Sequence, residues 1–307
     1  MNRFVFLMLF SSALGYGQVA SSPPAPAAAP TGLSQPAAAN PNDVESARKG
    51  RALLDETIKA LGGQAYLTYE NRAEEGRWYH LHHGSSGGGI GVQYRMFYRY
   101  PDKDRLEVYG RGNVFIPLPL FGSVDVIVVS KKKNKDDIAI IHNGNKGYEI
   151  TNKGTAAQEK EDLDPYLRRR SHSLEQVLRK WINDPGMQYF YDGLAIVDGK
   201  PTDQVTVLNA ANDAVTVYLD QNTHLPLKTS FTWRDPEDKQ RNVEEEIYDN
   251  YRMMQGIMTP HSFTRTFNGE MSHQRFINTV KYNVQLPEEL FEAKVDYDPY
   301  KAPVKKK

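Results

Sequence analysis

Residues 91–109 read GVQYRMFYRYPDKDRLEVY. Val92, Tyr94, Met96, Tyr98 and Tyr100 alternate there with Gln93, Arg95, Phe97 and Arg99. Successive side chains of a strand point to opposite faces, so this period of two predicts a strand with one apolar-aromatic face. Pro101-Asp102-Lys103-Asp104 then reverses the chain, and Arg105-Leu106-Glu107-Val108-Tyr109 resumes the alternation, which makes the whole a hairpin. Strict alternation sends Arg95 and Arg99 to the face opposite the tyrosines. The functional question is whether the apolar face encloses a packed core or a cavity.

Outward from the hairpin, residues 72–83 predict a preceding strand and residues 84–91 a glycine-rich hairpin loop. Downstream, residues 124–129 and 138–142 are further strands. Between them, residues 115–121 (FIPLPLF) are apolar but hold two prolines, which lack the ladder donor, so they predict a loop or edge segment packed across the mouth of a barrel. Residues 164–184 are helical: Leu174, Val177, Leu178, Trp181 and Ile182 share one face, Ser173 and Gln176 form a capping box, and Asp184-Pro185-Gly186 stops the helix. Strands resume at 187–197, 204–208, 214–219, 227–233, 243–251, 260–267 and 273–284, joined by turns rich in Asp, Asn, Gly and Pro. About eleven strands in series with short connections predict a mainly β (α+β) antiparallel meander.

The flanks are different in kind. Residues 1–17 have a positive start, an apolar run (FVFLMLF) and small residues ending at Gly17, the pattern of a secretory signal peptide too short to span a bilayer. Residues 18–42 are Ala/Pro-rich and predict a disordered tether. A single domain then spans 43–292. It opens with an amphipathic helix that Asp43 caps and Gly62-Gly63 ends. Residues 293–307 form a polar tail.

Composition excludes several classes. Lysine plus arginine (38) equals aspartate plus glutamate (38), so no global field draws nucleic acid. The absence of cysteine rules out disulfides, thiolate nucleophiles and a lipid-modified N-terminal cysteine. Gly84-Ser85-Ser86-Gly87-Gly88 fits G-x-S-x-G, but a nucleophile elbow needs a buried strand before the serine and a helix after it, and neither is predicted. His80, His82 and His83 place two imidazoles on one side of a strand with no further ligand near in sequence, which reads as surface or rim histidine rather than a metal site. Glu244, Glu245 and Glu246 alternate faces and are expected in solvent. No catalytic residue, metal or cofactor is assigned. An integral outer-membrane barrel is disfavoured by the inserted helices.

The order of elements resembles a known superfamily. The residues that carry the likeness are the helix ending in Leu61-Gly62-Gly63, the segment Pro101-x-Lys103-x-Arg105-x-Glu107, the turn Asn143-Gly144 with Gly147-Tyr148, and Tyr218-Leu219-Asp220 before Leu225-Pro226-Leu227-Lys228. Gly256-Ile257 with Pro260, and Tyr282-Asn283-Val284 with Phe291, close the pattern. Over residues 44–292 this is similar to the periplasmic outer-membrane lipoprotein-carrier (LolA-like) superfamily, as a long divergent member.

The resemblance implies a curved, incomplete antiparallel β-barrel, covered by the N-terminal helix and the central helical crossover, whose cavity takes acyl chains. It further implies an arginine on an early strand that meets the covering helices. Arg95, Arg99 and Arg105 are the candidates on the sheet side, with Leu174 and Trp181 on the helical side. The cavity candidates are Trp78, Tyr94, Met96, Tyr98, Leu106, Phe231, Trp233, Phe263, Phe276 and Tyr282; Val108, Phe267 and Val280 fall on the same predicted face. A packed core is the simplest account of such a set, and a cavity requires that the face be left partly unfilled. Two functions follow. One is a non-enzymatic periplasmic carrier of a lipid or an acylated lipoprotein. The other is a cell-envelope scaffold of the same fold with a filled core, contacting an envelope or outer-membrane protein.

Overall fold

The structure is a computed structural model that describes residues 41–80, 91–109 and 137–300. The expectations for the signal peptide, most of the tether, the G-x-S-x-G loop, His82 and His83, the apolar loop 115–121, the strand 124–129 and the end of the tail fall outside those residues.

Helix α1 (Pro41–Leu61) begins with proline at its first position, where no intrahelical N–H is needed. Asp43 therefore sits inside the first turn, favourably placed for the helix dipole, and is not the cap. Gly62 and Gly63 both take positive φ and end the helix as expected. Gly62 is also required by space, since a Cβ there would strike the carbonyl of Gly256. A short helix α2 (Gln64–Thr68) follows.

Six strands come next: β1 (Asn71–His80), β2 (Val92–Arg99), β3 (Lys103–Tyr109), β4 (Ile138–Asn143), β5 (Lys146–Thr151) and β6 (Gly154–Ala157). Helices α3 (Lys160–Ser171) and α4 (Leu174–Arg179) and a 3-10 turn (Trp181–Asn183) interrupt the strands. The remainder is β7 (Gln188–Val197), β8 (Lys200–Leu208), β9 (Ala214–Asp220), β10 (Pro226–Arg234), β11 (Arg241–Met254), β12 (Ile257–Phe267) and β13 (Glu270–Tyr282), then a 3-10 turn at Glu288–Phe291.

The described residues hold thirteen strands in one antiparallel sheet, ordered β6-β5-β4-β3-β2-β1-β13-β12-β11-β10-β9-β8-β7. The meander is as expected, with two differences. The segment after Asn143-Gly144 makes two further strands, because Asn143 pairs directly with Lys146 and the chain turns again at Thr151 and Gly154. The single helix expected over 164–184 is three pieces: α3 starts earlier, and Ser173 accepts from the Gln176 N–H to cap a fresh start for α4.

First and last strands pair in the middle of the sheet, β1 on β13, so the open edges are β6 and β7. Both edges carry a device that satisfies backbone groups a foreign strand would otherwise use. On β7, the Tyr191 N–H donates to Ser46 Oγ of α1 (2.8 Å). On β6, the Thr155 N–H donates to Asp296 Oδ1 (2.7 Å), while the Asp296 and Tyr297 N–H groups donate to the Thr155 carbonyl (both 3.0 Å). The ordered fold thus reaches past residue 292.

The main core lies between the concave face and the helices. Leu54, Val177, Leu178, Val205, Val215, Val217 and Leu219 are fully buried there. A second, smaller core sits on the convex face, where Leu286, Leu290 and Phe291 of the C-terminal segment cover Phe97. No helix among the described residues is long and apolar enough to cross a membrane.

Candidate functional site

Between the concave face and α2, α3 and α4 lies a cavity of about 740 Å³. That is within the range of pockets that enclose small molecules, roughly 300–1,000 Å³. Trp78, Met96, Tyr98, Leu106, Phe231, Phe263 and Tyr282 line it, with Leu174 of α4 above. Met96, Tyr98 and Leu106 share the concave face because they belong to the alternation set of the hairpin 91–109, and Trp78 joins them through its pairing with Val92. Tyr94 lies on the same face but is fully buried, its hydroxyl donating to Glu74 Oε1 (3.2 Å). Trp233 packs against the main core and donates its indole N–H to Glu244 Oε1 (2.9 Å). Trp181 is buried in the main core, edge-on to His172, and anchors the covering helices.

Phe276 is a correction. It lies on the convex face, edge-on to Tyr79, and is 37% exposed. The cause is a bulge in β13: Thr279 pairs with Glu75 and Ile277 with Gly76, leaving Asn278 as an extra residue. An inserted residue reverses the alternation. Val280 and Tyr282 are therefore inward on one side of the bulge, and Ile277, Arg275 and His273 on the other. Gly76 permits the arrangement, since a Cβ there would meet the Phe276 carbonyl. Phe267, at the end of β12, is likewise exposed rather than inward.

The three candidate arginines are also corrected. Arg95, Arg99 and Arg105 all project from the convex face, as strict alternation requires. Arg95 pairs with Glu75 (2.8 Å). Arg99 bonds Glu288 and the Leu286 carbonyl and stacks over Phe291. Arg105 bonds Glu107 (2.8 Å) and the Leu290 carbonyl (3.3 Å). The last two hold the C-terminal turn, not the covering helices. The early-strand arginine that does meet a helix is Arg72 of β1, whose Nη1 lies 3.4 Å from Glu175 Oε1 of α4.

Sequence reasoning missed how charged the concave face is. Glu74, with a side chain 1% exposed, pairs with Arg275 (2.5 Å) and Arg72 (3.6 Å). Glu244 is buried against Arg168 (3.3 Å) and Arg169 (3.7 Å) of α3, and Glu246 pairs with Arg265 (3.1 Å). The expectation that these acids face solvent fails for all three: Glu245 turns to the opposite face, but its side chain is only 22% exposed, paired with Lys228 (2.9 Å) and accepting from Thr266 Oγ1 (3.0 Å). Guanidinium groups also stack on the aromatic wall: Arg168 over Trp233 (3.4 Å) and Arg275 over Phe263 (4.1 Å). Two signals were present in the sequence. Inward Trp78 places Glu74 and Arg72 inward by parity, and inward Tyr248 does the same for Glu246 and Glu244.

Burial pushes the Glu175 carboxyl up to about 7, with Glu246 adding to the effect and Arg179 and Arg275 opposing it. Burial also raises the Tyr98 hydroxyl to about 12, against the pull of Arg72 and Arg179. At the β3–β4 wall, Asp104 Oδ1 lies 2.9 Å from His142 Nδ1, and Tyr166 of α3 stacks on the imidazole and donates to Asp104 Oδ2. This triad joins α3 to the sheet.

No protein-family model matches the chain, and no curated protein matches it. Solved structures do. A DUF1329 family protein from Desulfovibrio piger is similar over 80% of this chain and 97% of its own, with 11% identity and a TM-score of 0.48. A LolA superfamily protein from Nitrosomonas europaea is similar over 79% of this chain and 97% of its own, with 10% identity and a TM-score of 0.45.

Proposed function

We propose that this protein is a non-enzymatic carrier that sequesters the apolar chain of a lipid or an acylated protein in the cavity under α2, α3 and α4. The observation that carries the reading is the cavity itself: about 740 Å³ left unfilled between a concave aromatic wall and the covering helices. A scaffold with a filled core, the alternative from the sequence, has no use for such a space. Burying each methylene of an alkyl chain contributes about 0.8 kcal/mol, so a long chain binds well to Trp78, Met96, Leu106 and Phe263 without any covalent step. The arrangement of covering helices on an open sheet also agrees with what the sequence motifs implied. The leader-like residues 1–17 support action outside the cytoplasm, in the periplasm.

The test is native mass spectrometry of the protein purified from its own cell envelope, followed by solvent extraction. Co-purifying lipid or acylated peptide is the expected result. A protein that arrives empty and takes up no alkyl-chain ligand from detergent-free vesicles would remove the carrier reading.

A further inference from the structure

We infer that the cavity selects ligands with an anionic head group, a carboxylate or phosphate, held by Arg169 of α3 beside Arg168 and Arg265. The inference rests on the carrier reading and specifies its ligand.

One corner of the cavity carries an imbalance of charge. Arg168, Arg169 and Arg265 share this corner with two carboxylates, Glu244 and Glu246. Within this corner three guanidinium groups face two carboxylates; the surplus is local, because elsewhere the lining carries Glu74, Asp104, Glu149, Asp162 and Glu175, so an anion is held here and nowhere else along the wall. Arg265 is committed to Glu246 at 3.1 Å. Arg168 is committed to Glu244 at 3.3 Å and to the face of Trp233. Glu244 Oε1 already accepts from the Trp233 indole as well.

Arg169 is what remains. Its single partner among the described residues is Glu244 Oε2 at 3.7 Å, beyond hydrogen-bond distance, and its side chain is 31% exposed while lining the cavity. A guanidinium carries five N–H donors in a planar fork that matches a carboxylate or phosphate edge. Solvent reaches this fork and no acceptor among the described residues takes it, so a bound anion takes the place of water on its donors. The same crowding pushes the Arg169 guanidinium down to about 10, through burial and the neighbouring Arg265. Phe263, Trp78 and His273 line the cavity on adjacent strands. A head group at Arg169 therefore starts an alkyl chain along the aromatic wall.

The experiment measures binding of three ligands of equal chain length, palmitate, hexadecyl phosphate and hexadecanol, by equilibrium dialysis. It uses the intact protein, its Arg169→Gln variant, and Arg95→Gln on the convex face. The expected result is that at least one anionic ligand binds about ten- to a hundredfold more tightly than the alcohol. Which anion gains more separates a fatty-acid from a phosphate source. Arg169→Gln should bring the anionic ligands down to the affinity of the alcohol, with its thermal melt reporting an intact fold, and Arg95→Gln should leave the preference as in the parent. Equal affinity for all three ligands overturns the anion site and leaves the carrier reading standing, as does a preference that survives Arg169→Gln. No binding of any ligand removes the carrier reading and the anion site together.

Discussion

Arg275 and Glu74 place guanidinium and carboxylate 2.5 Å apart across 201 residues of sequence, on the concave face where β13 meets β1. That seam joins the two halves of the meander, because β1 begins the sheet and β13 ends it. Glu74 also takes the Tyr94 hydroxyl, so a single buried carboxylate ties three strands together. Removing Arg275 leaves the buried Glu74 carboxylate with only the more distant Arg72 (3.6 Å), whereas replacing both members of a buried pair with apolar groups is often nearly neutral. Arg275→Met should therefore cost about 3 kcal/mol in chemical denaturation, and the double replacement Arg275→Met with Glu74→Met should recover most of it. Additive losses would mean that the pair contributes to the seam through packing alone.

Gly76 meets the same seam from the backbone side. A Cβ there would be driven into the Phe276 carbonyl, which belongs to the paired strand and cannot rotate away. Gly76→Ala should destabilise the domain by more than about 3 kcal/mol, in the range reserved for overpacking or backbone strain. A variant that melts within a degree or two of the parent would show that the bulge at Asn278 relaxes freely.

The pH response of the covering helices turns on Glu175. Its folded pKa, about 7, lies above the ordinary value of 4.5. The folded state therefore holds more protons than the unfolded state between those values, and stability from this group falls as pH rises through the window. Below about pH 4.5 the contribution is fully present, and above about pH 7 it is lost. Glu175→Gln removes the titration. The stability of the parent relative to this variant should decline between pH 5 and 7 by up to about 1.4 kcal/mol per pH unit. Parallel pH profiles would place the Glu175 pKa near its ordinary value.

Much of this architecture was legible in the sequence, for reasons that individual residues make plain. Alternation in residues 91–109 identified the concave face, since one strand buried on one side must repeat every two residues. Ser173 with Gln176, and Gly62 with Gly63, announced a helix start and a helix end through local hydrogen bonding and φ alone. Strand β6 was illegible because four residues, Gly154-Thr155-Ala156-Ala157, carry too short a pattern. The bulge at Asn278 was illegible for another reason: a reversal of parity depends on the partner strand, and nothing in residues 273–284 records it. The assignment of Arg99 and Arg105 to the covering helices failed for a third reason. They hold Leu286 and Leu290 backbone groups some 185 residues away, on a face that the sequence showed as merely polar.

The parity reversal itself can be tested in solution, because the chain has no cysteine and a single substitution supplies a unique thiol. Phe263→Cys puts that thiol in the cavity wall, and Phe276→Cys puts it on the convex face beside Tyr79. Thiol reagents report exposure of the sulfur. A bound alkyl-chain ligand should slow modification at position 263 several-fold and leave the rate at position 276 unchanged. Uninterrupted alternation from Tyr282 through Val280 would instead turn position 276 inward, and the ligand would then protect both thiols. Protection at 276 would thus move Phe276 back into the cavity and remove the bulge at Asn278 from the account of this sheet.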